Sequence, residues 1–178
     1  LERDPENRLL WRMNRRRLEI EPWRDALLAV TGELDVTLGG PSRQLNDKGN
    51  NRRTIYGFIS RHELNELLRL FDFPDPNITS AQRTVTTVPL QQLFVLNSDF
   101  MAARARALAV RLEMVEGTNG QRIEHAYQLL FARSPSEQEV ALAVQFLEQD
   151  EANKEDKLTR WQQYALALLG TNEFLYVD

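Results

Sequence analysis

With 178 residues, 42% hydrophobic and 27% charged, the chain has the make-up of an ordinary globular domain, far from disordered compositions. It contains no cysteine, which removes disulfides, thiolate metal sites, thiol nucleophiles and covalent c-type haem attachment. The net charge of -4 offers no global attraction to nucleic acid or to an anionic membrane, and no apolar run approaches the roughly eighteen residues of a membrane span.

The opening Leu1-Glu2-Arg3-Asp4 reads as a cut inside a longer gene product, with any targeting segment upstream. Leu1 to Arg17 is dense in charge, and Leu9, Leu10, Trp11 and Met13 are its apolar anchors. A helix is expected from about Glu19 to Thr31, with Trp23, Ala26, Leu27 and Val30 on one stripe, Pro22 in the first turn and Gly32 as the stop. Gly39-Gly40-Pro41-Ser42 is a turn, and Asn46 to Asn51 a polar loop. Thr54 to Ile59 and Thr84 to Val88 are rich in β-formers and read as two short strands that could pair. Between them Leu64, Leu67, Leu68 and Phe71 mark a short helix, stopped by the prolines of Asp72-Phe73-Pro74-Asp75-Pro76-Asn77.

From Pro89 on the pattern is helical. Leu90, Leu93, Phe94 and Asn97 give a short helix, and Phe100, Ala103, Ala107, Val110 and Met114 the stripe of a longer one. Ile123, Ala126, Tyr127, Leu130 and Phe131 define another. Ser134-Pro135-Ser136-Glu137 reads as a capping box with proline at the first helical position, opening a helix that buries Val140, Val144 and Leu147. Asp150 to Asp156 is a charged connection, and Leu158, Trp161, Ala165 and Leu168 form the last stripe, with Thr171 placed to cap a further turn. The expected fold is mainly α: an irregular helical bundle over residues 1–178, a single helical domain of a longer protein, with a short two-stranded β-ribbon from the middle segments.

No set of residues specifies a reaction. His62 and His125 lack a second ligand at helical spacing, and no nucleophile-elbow, phosphate-cradling or zinc-helix motif occurs. Catalytic, cofactor-binding and metal-ligating residues are therefore all assigned as none. The arginines of Asn14-Arg15-Arg16-Arg17 are interleaved with Glu2, Asp4, Glu6, Glu19 and Glu21, which largely cancels their field. Asp72, Asp75 and Asn77 carry hard oxygens of the kind calcium accepts, although helix stopping and Asx-type turns account for the same residues. Together with Arg83 and His62, which flank the proposed strands, these three make the candidate surface site.

The segments Arg24 to Gly32, Gly39 to Ser42, Arg53 to Tyr56, Phe71 to Asn77, Thr86 to Asn97 and Thr171 to Asp178, in that order, resemble a C-terminal domain of unknown function, family 1553. That family belongs to large proteins of planctomycetes and related bacteria. Pro22 departs from its pattern, where an ordinary helix former is more usual. The resemblance implies a position downstream of another domain of unknown function, often with a cytochrome-c-like module and an export signal, hence a periplasmic or cell-surface parent. No catalytic residues accompany it, and haem binding is not inherited because no Cys-x-x-Cys-His is present.

The leading expectation is a non-catalytic interaction or structural domain. Its partners would be upstream domains of the parent protein, or an extracellular polysaccharide or protein, with no nucleic acid and no membrane insertion by this fragment. The alternative is an accessory part of an enzyme whose active site upstream domains complete, with Asp72, Asp75, Arg83 and His62 as the contributed groups. A third reading, docking to a haem module through the arginine-rich start, predicts salt-dependent binding.

Overall fold

The computed structural model describes residues 4–47, 49–149 and 158–177, so the expected charged connection from Asp150 to Asp156 lies outside the described residues. Among them are eight α-helices, one 3-10 turn and a two-stranded antiparallel ribbon. The mainly helical expectation holds, and the ribbon exists, but it is built from other segments.

Helix α1 (Ile20–Val30) buries Ile20, Trp23, Leu27 and Leu28, and Pro22 falls harmlessly in its first turn. Thr31 closes it by donating its hydroxyl to the carbonyls of Leu27 and Leu28, and Gly32 turns the chain at φ +77°. Helix α2 (Glu66–Leu70) starts at Asn65, whose side chain accepts from the Leu67 amide, and buries Leu68. Helices α3 (Pro89–Asn97) and α4 (Asp99–Glu113) follow, the second capped by Ser98. Helix α5 (Asn119–Phe131) opens with a Thr118–Gln121 capping box and buries Ile123, Ala126 and Tyr127, as the sequence predicts.

Helix α6 (Glu137–Leu147) also opens with a capping box, two residues later than expected: Ser136 is the cap, Glu139 its partner, and Pro135 lies outside the helix. Helix α7 (Arg160–Leu169) buries Tyr164, Ala165, Leu168 and Leu169, and Thr171 caps the final turn, α8 (Asn172–Leu175). Helix α4 lies at the centre, touching α1, α3, α5 and α7. An aromatic chain runs through the core from Trp23 to Phe71 to Phe94 to Phe100, with ring centroids 4.7, 5.6 and 6.5 Å apart.

Three expectations are corrected. Neither β-rich segment is a strand: Thr54–Tyr56 is a 3-10 turn, and the segment from Thr84 to Val88 has no regular structure. In each, one aspartate takes the donors a ladder would need. Asp25 Oδ1 accepts from the amide and hydroxyl of Thr54 at 2.7 and 2.6 Å, and Asp72 does the same for Thr86 at 2.9 and 2.6 Å. The ribbon instead joins β1 (Arg16–Arg17) to β2 (Tyr176–Val177), with Arg16 opposite Val177.

The helix faces also differ. In α4 the buried stripe is Met101, Ala105, Leu108, Ala109 and Leu112, while Val110 and Met114 are exposed. Alanines lie on several sides of α4, so the larger Met and Leu side chains decide which face packs. In α3 the expected Leu90, Leu93 and Asn97 point to solvent, and Gln91 and Val95 are buried.

Candidate functional site

The burial of Gln91 explains where Asp72 sits. Gln91 Nε2 donates to the Leu70 carbonyl at 2.9 Å, and its Oε1 accepts from Arg17, itself a nearly buried side chain, at 3.1 Å. Arg17 also donates to the Thr86 carbonyl and lies 4.0 Å from Asp72. Asp72 stands at φ +63°, a left-handed conformation that aspartate tolerates, and this turns both carboxylate oxygens toward Thr86. These four side chains form a closed polar knot tying β1, the end of α2 and the start of α3 together.

Arg83 clamps the same segment from outside. Its guanidinium binds Glu21 with two bonds of 2.7 and 2.8 Å, reaches Glu19 at 3.1 Å and covers the Phe73 ring at 5.2 Å. Burial pushes the Glu21 carboxyl up, but the Arg83 bonds, a bond from its own backbone amide and the Arg83 charge together hold the group below the usual carboxylate range. The hollow between Asp72 and Arg83 measures about 20 Å³, room for a water molecule and not for an organic ligand.

The other candidates are elsewhere. Asp75 and Asn77 make an exposed Asx turn, with the Asn77 amide donating to Asp75 Oδ1 at 2.8 Å and its side chain to the Arg61 carbonyl at 2.8 Å. His62 follows Arg61, and its backbone amide donates to Ser60 Oγ. So Asp72 and Arg83 flank one hollow, Asp75 and Asn77 reach back toward residue 61, and the five do not converge. No group of three or more His, Asp or Glu side chains that could hold a metal ion occurs among the described residues.

A concave surface with a mixed lining lies on the other side of α2, where no sequence motif pointed. An apolar well of about 230 Å³ is walled by Leu45, Leu67, Leu70, Phe94 and Phe100. Beside it lies an open polar shelf of about 500 Å³, lined by Gln44, Asp47, Phe58, Ser60 and Glu63. The two share a rim of Asn46, Asn65 and Glu66, and Asn65 Nδ2 donates to Asn46 Oδ1 at 2.9 Å. Phe58 is 43% exposed, an aromatic face beside amides and carboxylates.

A family model described as a protein of unknown function (DUF1553) matches residues 1–147 of the 178. The chain belongs to this family. No curated protein and no solved structure matches it. In this DUF1553 chain the motifs that carried the resemblance act as braces. Arg24, 1% exposed, donates to the carbonyls of Asn50 and Arg52 at 2.5 and 3.0 Å and to Thr54 Oγ1 at 3.1 Å. Arg52 spools the glycine turn around itself, donating to the carbonyls of Thr37, Gly39 and Pro41 and covering Tyr56 at 4.2 Å. Gly40 stands at φ +88°, a conformation that favours glycine, with the Arg52 guanidinium in ordinary contact beside it.

These braces place the shelf. Asn50, held by Arg24, donates its side-chain amide to the Gln44 carbonyl at 2.8 Å, which fixes the loop bearing Leu45, Asn46 and Asp47. Sequence reading gives that stretch as a polar loop only. Its one signal is the density of amide side chains at Gln44, Asn46, Asn50, Asn51 and Asn65, too common in loops to single out a site.

Proposed function

We propose that this DUF1553 domain is a non-catalytic interaction module of an exported multidomain bacterial protein, and that its ligand face is the paired hollow beside α2. One observation carries the reading. Amides and carboxylates line the same shelf as an exposed aromatic side chain, and this chemistry matches the alternating hydroxyls and apolar C–H faces of a sugar polymer. The ligand class we favour is therefore an extracellular polysaccharide. Export, and a periplasmic or cell-surface parent of planctomycete type, are supported by the motif resemblance alone.

The alternative, an accessory part of an enzyme completed by upstream domains, draws little from its nominated groups. The polar atoms of Asp72 and Arg83 are taken up in bracing, and the space between them admits no substrate.

Affinity electrophoresis against a panel of soluble neutral and acidic polysaccharides tests the reading. At least one is expected to retard the protein, and Phe58→Ala and Asn46→Ala are each expected to weaken that retardation about tenfold at unchanged thermal midpoint. Equal mobility of the wild type in every gel, or retardation indifferent to both substitutions, would refute it.

A further inference from the structure

The rim between the apolar well and the polar shelf is made of amides whose hydrogen bonds are only partly taken. Asn65 Oδ1 accepts the Leu67 amide at 3.0 Å, and its Nδ2 donates one hydrogen to Asn46 Oδ1 at 2.9 Å. Asn46 Nδ2 and the second Asn65 hydrogen have no partner among the described residues. On the shelf side stand the carboxylates of Asp47, Glu63 and Glu66, none of them bonded or ion-paired among the described residues. No described cation lines the shelf, and Arg69, which reaches the Leu64 carbonyl at 3.5 Å, offsets one of the three charges at most. On the well side the walls are three leucines and the rings of Phe94 and Phe100. The surface thus passes from free acceptors, through amide donors, to an apolar space of about 230 Å³.

We propose that the ligand of this face is a neutral polysaccharide of N-acylated amino sugars, with the acyl group seated in the well. This rests on the reading that the face binds polysaccharide, and adds which kind. Each part of such a sugar has a counterpart across the rim. Its hydroxyls and acylamido N–H donate to the carboxylates, its acyl carbonyl accepts from the rim asparagines, and its alkyl end leaves water for leucine and phenylalanine. Phe58 offers its exposed ring to the C–H face of the sugar. A plain glucan leaves the well and the amide donors unused, and a free amine leaves the well empty. An acidic polymer meets like charges, a repulsion that salt relieves. A cavity of about 150 Å³ already holds a benzene ring. The well therefore has room for an acyl chain longer than acetyl.

Affinity electrophoresis of the full chain tests the proposal, using glycol chitosan fully N-acylated with acetyl, propionyl or butyryl groups, beside hydroxyethyl cellulose and a polyuronate. The acetylated polymer is expected to retard the protein about tenfold more strongly than the cellulose ether, and each added methylene to strengthen this about fourfold. The polyuronate should not retard it at low salt. Leu67→Trp fills the well from a half-buried position, and should erase the gain with acyl length at unchanged thermal midpoint. Asp47→Asn with Glu63→Gln alters two exposed side chains, and should admit the polyuronate at unchanged midpoint. Equal retardation by hydroxyethyl cellulose, or no gain along the acyl series, overturns this proposal and leaves polysaccharide binding standing. Unchanged mobility in every gel overturns both. Dimerisation in sedimentation velocity that Leu67→Trp abolishes assigns the well to a second copy of the chain and overturns the acyl site.

Discussion

Replacing Arg24 by alanine should be among the most damaging single changes in this domain. The guanidinium is buried against three acceptors, two of them backbone carbonyls of a loop with little regular structure to hold it. Removing it strands the carbonyls of Asn50 and Arg52 away from water, at about 1–3 kcal/mol each, and leaves a cavity where the side-chain stem packed. Burial acts first on Arg24, lowering its proton affinity, with Asp25 offsetting this and Arg104 adding to it, so part of the gain already goes to desolvation. A net loss of about 3 kcal/mol follows, which at this chain length is a fall of about 10 °C in thermal midpoint. Arg24→Met refills the volume without the bonds and should lose about 2 kcal/mol; Arg24→Lys, unable to fork to three acceptors, should fall between methionine and wild type. Urea unfolding with an unchanged m value measures all three, and hydrogen exchange should show the 44–57 loop opening first in Arg24→Ala. An Arg24→Ala midpoint within a degree of wild type, or a more stable Arg24→Met, would refute the view that this arginine organises the loop.

Two other predictions concern the fold. Asp72→Ala should lose about 2 kcal/mol in urea unfolding by removing both Thr86 bonds at a positive φ, while Asp72→Asn, which suits that φ and keeps one acceptor, should lose about half as much. Glu139 accepts from Arg133, which also holds Glu173, and from the Ser136 cap, and this lowers its pKa from 4.5 to about 2. Because the folded value is depressed, the stabilisation is fully present above about pH 4.5 and is lost as pH falls toward 2. Both side chains are about a third exposed, so solvent screening limits the loss to about 1 kcal/mol. Thermal midpoints across that window should fall less steeply in Arg133→Gln than in wild type.

Much of the helical architecture was legible because its signals are local. Stop and start residues such as Gly32 and Thr171, and the 3.6-residue stripe of α5, act within one or two turns, and each gave its helix close to its observed place. Where two local signals competed, as at Ser134 and Ser136, the box with its glutamate aligned to bond back took the cap. The candidate site was less legible. Asp72 and Asp75 look alike in sequence, yet one is knotted to Thr86 and the other closes its own turn.

The sequence by itself determined a helical chain without thiol chemistry, with caps and breakers that set most helix ends. Tertiary structure alone decided what the polar residues do. Thr54 and Thr86 leave the strand state because aspartates 29 and 14 residues away reach their donors first. Leu90 and Leu93 face water because Gln91 is drawn inward by Arg17, 74 residues earlier. The ribbon joins the two ends of the chain, and the hollow beside α2 forms only once Arg24 has gathered a loop that carries no pattern of its own. Hydrogen-bond partners so distant leave no periodicity in a sequence, since only folding sets which donor meets which acceptor.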